Sequence, residues 1–192
     1  MSKIIIDEQL RRIDVLENRL KEIFQNDYQL LLQPPAKGKW SVVEVIGHMT
    51  KSHQLYRPKF ERLLSTLPTV NTPHKEVTLS WFNAMLVGML APKEGQIRYK
   101  MKTGKQFIAP PVGQDEAGVR EAFSLFFQEL AYFKEVTKKS KGLDYTKKKV
   151  PSALGPIVRF YLPEAVEFML VHDERHLLQV ERTLDVAKKL EV

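Results

Sequence analysis

The stretch MLVHDERHLLQVERTL, Met169 to Leu184, carries two histidines, His172 and His176, four residues apart. On a helix, at about 100° per residue, that spacing keeps their side chains within about 40° of one another. Ala165, Phe168, Met169, Val180 and Thr183 flank the same direction, so both rings face the side that the helix must bury. A buried polar group without a partner costs about 1–3 kcal/mol. Two such groups, one turn apart, require a reason. One is that both ring nitrogens converge on a single cation, as helical metal sites do. The other is that each ring is a core histidine bonded to a carbonyl or a carboxylate. His48, in KWSVVEVIGHM, aligns with Val45, Ser52 and Leu55 on a second helical pattern. Helix bundles assemble metal sites from side chains on facing helices. His48, His172 and His176 are therefore the candidate metal ligands. Three imidazoles with no fourth protein ligand leave a coordination position for water or substrate, the arrangement of a catalytic site. His53, about 140° round the helix from His48, and His74, in a proline-flanked stretch, are left out of the set.

Two familiar alternatives fail on the letters. HDERH is not H-E-x-x-H: Asp173, not a glutamate, follows the first histidine. Asp173 and Glu174 are expected toward the flank or solvent, paired with arginines such as Arg175 or Arg182. A di-iron carboxylate bundle needs two E-x-x-H motifs, and none occurs. There is no cysteine, which removes disulfides, thiolate ligands and a cysteine nucleophile together.

Four long helical patterns must position these residues. The first is expected over Asp7–Leu32, where Ile13, Leu16, Leu20, Ile23 and Leu30 recur at three- and four-residue steps; QPPAKGK ends it. The second opens with Ser41 and Glu44, spaced as a capping box, continues to Leu67, and contains Pro58, which should kink or break it. The third covers Asp115–Lys139 with Val119, Phe123, Phe126, Leu130 and Phe133 on its buried stripe. The last starts near Pro163, a favourable first-turn residue, and runs to about Leu190. Between Pro68 and Pro111, VTLSWFNAMLVGML suits a short amphipathic helix, and GQIRYKMKTGKQFIAPP suits a small hairpin or a strap across the bundle. The reading is an all-α fold: one four-helix-bundle domain over residues 1–192, with a longer, partly ordered connection between helices 2 and 3.

Composition bounds the setting. The 192 residues are 43% hydrophobic and 28% charged, ordinary for a globular protein. No apolar run is long enough to span a bilayer. The opening MSKIIIDEQL lacks the long apolar core of a signal peptide, so no membrane partner and a cytoplasmic location are expected. Much of the net charge of +7 sits between Lys134 and Lys149, where seven lysines face Glu135 and Asp144. This reads as a solvated helix end and loop, with no specific nucleic-acid partner.

At these residues the chain resembles the DinB/YfiT-like family of metal-binding four-helix bundles. KWSVVEVIGHM matches the W-S-x-x-E-x-x-x-H signature at Trp40, Ser41, Glu44 and His48. The later stretch matches H-x-x-R-H-x-x-Q at His172, Arg175, His176 and Gln179, preceded by the L-G-P turn at Leu154–Pro156. The resemblance implies a divalent metal, zinc or nickel, on His48, His172 and His176. It implies either activation of a low-molecular-weight thiol for S-transfer or isomerisation, or activation of water for hydrolysis. It also implies a small-molecule substrate and a homodimer. The alternative is a metal-binding or stress-response bundle without turnover. One departure bears on substrate: several relatives carry a histidine before the proline ahead of the L-G-P turn, where this chain has Val150.

Overall fold

The computed structural model describes residues 3–99, 103–153 and 155–190. Four long helices form the bundle: α1 (Ile6–Phe24), α3 (Val42–Thr66), α5 (Glu116–Ser140) and α6 (Leu162–Leu190). Each packs against two neighbours in the cyclic order α1–α5–α3–α6. Their apolar stripes meet in one core in which Tyr56, Phe123, Phe126, Phe133 and Phe160 are fully buried. Burying such side chains, at about 25 cal/mol per Å² of apolar surface, supplies most of the driving force for this arrangement. No described helix is long and apolar enough to cross a membrane.

The expected first helix is in fact two. After α1 the chain breaks and restarts as the short α2 (Tyr28–Leu32). Asn26 Nδ2 donates to the Ile23 carbonyl at 2.7 Å, and the Asp27 carboxylate accepts from the Gln29 N–H at 2.8 Å. Adjacent Asn and Asp side chains thus close one helix and cap the next, a local competition that an apolar stripe does not register. Pro58 does not break the helix, for α3 runs through it from Val42 to Thr66. Pro58 and Gln54, whose carbonyl loses its helical donor, both lie on the exposed face, where water can take the freed acceptor.

The capping box at the start of α3 forms as the spacing predicts. Ser41 N–H donates to Glu44 Oε2 at 2.8 Å, and Glu44 N–H donates to Ser41 Oγ at 3.3 Å. It sets the entry of the helix that carries His48. Ser41→Ala should lower stability by about 1 kcal/mol, read as a shift in the urea midpoint at unchanged slope.

The connections hold short strands at places where the sequence predicts none. β1 (Lys3–Ile5) pairs antiparallel with β2 (Glu76–Thr78), and β3 (Val150–Ser152) with β4 (Gly155–Phe160), the latter directly after the lysine-rich segment. Leu154 of the L-G-P turn lies outside the described residues. The α3–α5 connection contains α4 (Trp81–Leu90), capped by the Ser80 side chain on Asn83 N–H. The expected strap is present over its described part: a turn at Lys93–Gln96, then residues 103–111 with a 3-10 turn at Lys105–Phe107. Residues 100–102 of that stretch lie outside the described residues. The strap crosses α3 at Gly47, where an added Cβ would stand 3.1 Å from Ala109 Cβ. The absent side chain lets the strap approach the turn that presents His48.

Candidate metal centre

His48 comes from α3, and His172 and His176 from the facing turn of α6. His48 Nε2 lies 3.2 Å from His172 Nε2 and 3.2 Å from His176 Nε2. One ring nitrogen of each histidine lies within 4.8 Å of the others; among the described residues no other group of three such side chains converges in this way. The three residues singled out in the sequence are brought together, and His53 and His74 are not among them.

The other nitrogen of each ring is accounted for. His48 Nδ1 meets the Phe107 carbonyl at 2.8 Å, His172 Nδ1 meets Asp173 Oδ1 at 3.3 Å, and His176 Nδ1 meets Gln179 Oε1 at 3.0 Å. A carbonyl or carboxylate oxygen only accepts, and the Gln179 side-chain oxygen likewise, so each Nδ1 carries the proton and donates. Each Nε2 is then a bare lone pair, and three lone pairs face a common point. Protons are a poor remedy for that crowding. Burial, with neighbouring imidazoles adding to it, pushes His48 down to about 4 and His176 well below its ordinary value. The Phe107 carbonyl acts against this at His48, but less strongly.

These shifts have a consequence for the chelator-treated chain. The unfolded histidines take up protons near 6.5, while folded His48 does so only near 4. The stability tied to neutral His48 is therefore complete above about pH 6.5 and is lost as pH falls toward 4, and His176 acts in the same direction. Urea unfolding followed from pH 7.5 to 4.5 should show the midpoint falling in that window. A flat profile would contradict the neutral cluster.

Asp173 is the residue that sequence reasoning misplaced, and His53, left out of the ligand set, is its buried partner. Asp173, expected at the flank beside Arg175 or Arg182, is 0% exposed. Its Oδ2 accepts from His53 Nε2 at 2.7 Å, and its Oδ1 faces His172. Burial alone would raise its pKa. His53 and His172, by charge and hydrogen bonding, outweigh that and hold it at about 2. The carboxylate thus ties His172 on α6 to His53 on α3 and fixes the ring direction of His172. The signal was available: Asp173 falls at helical spacing from Val166, Met169, Leu170 and Val180, all buried. His53 does the same with Ile46, Met49, Tyr56 and Phe60. Glu174 also departs from expectation, since with Glu167 it clamps Arg12 of α1, at 2.7 and 2.6 Å. Arg182 donates to the Gly95 carbonyl. His74 stacks near Tyr145, away from the cluster.

The cluster opens into a cavity of about 310 Å³. Trp40, Leu90, Ile97, Phe107, Phe168 and Met169 give it apolar walls, and Tyr56 and Arg175 bring polar groups to it. Tyr56 Oη is already engaged, by Ser152 Oγ at 3.1 Å and by Ala153 N–H at 3.2 Å. Its buried setting raises the phenol pKa, so it stays protonated. Arg175 donates through Nη2 to the Tyr99 carbonyl. Burial lowers its pKa, though a guanidinium remains charged.

Facing helices thus bring together three imidazoles that could hold a metal ion, beside a cavity of small-molecule size. A sequence model of the DinB superfamily matches residues 10–180, and the chain belongs to that superfamily. Among solved structures it is similar to YfiT from Bacillus subtilis, described as "a probable metal-dependent hydrolase with an unusual four-helix bundle topology". The two share 16% identity over 97% of this chain and 87% of that one, with a TM-score of 0.47. No curated protein matches the sequence.

Proposed function

We propose that the protein is a metal-dependent enzyme acting on a small molecule, with His48, His172 and His176 holding one divalent cation. The observation that carries this is the tautomer pattern: three Nδ1 donors are each matched to an acceptor, leaving three Nε2 lone pairs in mutual contact. Borderline nitrogen donors of this kind suit zinc or nickel. When bound, such a cation supplies Lewis acidity, lowering the pKa of an adjacent water or thiol so that a nucleophile exists at neutral pH.

The chain's own residues supply the rest. Asp173, Gln179 and the Phe107 carbonyl hold the three rings in the ligand tautomer before anything binds. The apolar walls receive the nonpolar part of a substrate. With no cysteine in the sequence, any thiol must arrive as a co-substrate. S-transfer from a low-molecular-weight thiol and hydrolysis are the two reactions consistent with this donor set.

The experiment is to purify the protein without an affinity tag and measure its metal content. The loaded protein is then assayed with cysteine-derived thiols against electrophiles, and with ester and amide substrates. About one equivalent of metal and thiol-dependent or hydrolytic turnover are expected. One equivalent of metal with no turnover on any substrate would favour a binding bundle. No metal would leave the cluster as hydrogen-bonded core histidines.

A further inference from the structure

Arg175 is an anomaly that the metal centre does not explain. It precedes His176 by one residue and lines the cavity beside the three imidazoles. It is 8% exposed, yet it makes no ion pair among the described residues. Nη2 meets one neutral acceptor, the Tyr99 carbonyl, and Nη1 is buried with no hydrogen-bond partner. Among the described residues the other buried charged side chains are all satisfied: Glu167 pairs with Arg12, Asp173 with His53 and His172, and Glu164 accepts from Asn83 Nδ2 and from the Ser80 and Tyr161 N–H groups. A buried cation without a counter-charge is costly, and folded chains keep such groups where a ligand completes them. None of the described residues that line the cavity is acidic; Lys39 is its other basic side chain.

We propose that this cavity takes a small carboxylic acid with an apolar body, its carboxylate held by Arg175 beside the three imidazoles. A guanidinium edge matches the two oxygens of a carboxylate, and the aromatic and aliphatic walls receive the remainder of the molecule. The cavity has room for a ligand of about ten non-hydrogen atoms, at the small end of ligand sites. A guanidinium with one unpartnered nitrogen suits a monoanion better than a phosphate dianion, for which the site has no further buried donor cluster. The proposal names the substrate class for the site described above and rests on that reading for the chemistry, but not for the anion contact itself.

The test is calorimetric and uses phenylacetate and 4-phenylbutyrate as probes, each against its neutral amide, with inorganic phosphate as a third arm. Titrations are run on metal-loaded and chelator-treated protein. The acids should bind at least about tenfold tighter than the amides, the value of one charge-assisted hydrogen bond. Arg175→Gln should lose that preference while keeping its metal content, and Arg175→Lys should keep part of it. The preference should persist without metal, because it belongs to the arginine. Arg175→Met should be at least as stable as the parent when ligand-free, and only the parent should gain melting temperature from added acid. Equal acid binding by the parent and Arg175→Gln overturns the proposal, as does amide binding as tight as acid binding. Preference for phosphate, or no binding of either acid, also overturns it. Acid preference in a protein that takes up no metal would sustain it and remove the metal reading instead.

Discussion

His176→Ala is expected to fold and to lose its metal. The variant removes one of three nitrogens that meet within 4.8 Å. Structural zinc sites with four ligands are worth roughly 10–16 kcal/mol, so one ligand accounts for about 3 kcal/mol, or roughly a hundredfold or more in affinity. Competition with a chromogenic chelator reads this directly, and elemental analysis of untagged protein should fall from about one equivalent to near none. The fold should survive, because the ring is not part of the close-packed core and the metal-free cluster is itself crowded by lone pairs. Removing one ring should leave the melting temperature of the chelator-treated chain unchanged or raised. A variant that still carries one equivalent of metal would refute the assignment. One that is unfolded would show that the ring is a packing residue first.

The second large effect is expected at Asp173. It is fully buried, and both of its oxygens serve histidines, His53 at 2.7 Å and His172 at 3.3 Å. Asp173→Ala leaves His53 Nε2 buried beside Phe126 and Phe133 without an acceptor, at a cost of about 3 kcal/mol. Denaturant unfolding of the chelator-treated chain should show this, largely independent of metal. Asp173→Asn separates the two roles. The amide preserves volume and one acceptor oxygen, so stability should suffer less, while the weakened hold on His172 should lower metal affinity about 10- to 100-fold. The acid range discriminates further. The carboxylate is held at about 2, so its contribution to stability should persist on acidification and vanish only below the ordinary carboxylate range. His48, by contrast, loses its contribution between about 6.5 and 4. Two separate acid transitions, with the lower one missing in Asp173→Asn, are the expected pattern.

The charge distribution also follows from particular contacts. Of the lysines clustered between residues 134 and 149, Lys134 pairs with Asp14, Lys138 with Glu135, Lys141 with Asp7 and Lys147 with Asp144. Lys149 lies over the Tyr161 ring, 4.3 Å from its centroid. Lys141–Asp7 ties the connection between α5 and α6 to α1, and Lys134–Asp14 ties α5 to α1; the other contacts lie within a single helix or within the connection. Being exposed, they are worth little individually.

What the sequence alone determined is whatever repeats with the helical period or sits at a fixed local offset. The four long helices, the Ser41–Glu44 capping box and the inward direction of His48, His172 and His176 all follow from spacings of three, four and seven residues. Those spacings are properties of one helix and need no knowledge of its neighbours. The burial of Asp173 obeyed the same rule, but the residue was read by its polarity rather than its position; His53 was judged only by its angle to His48. The tertiary structure alone decided the partners. The Phe107 carbonyl reaches His48 only because an aperiodic strap crosses α3 at Gly47, some sixty residues away in the chain. Three-residue strands are too short to show alternation, and their pairing depends on segments far apart, Lys3 opposite Thr78 for one. The unpaired guanidinium of Arg175 is visible only once every nearby carboxylate has been assigned to another residue. Periodicity is local and therefore written in the chain, whereas the matching of donors to acceptors is a property of the packed whole.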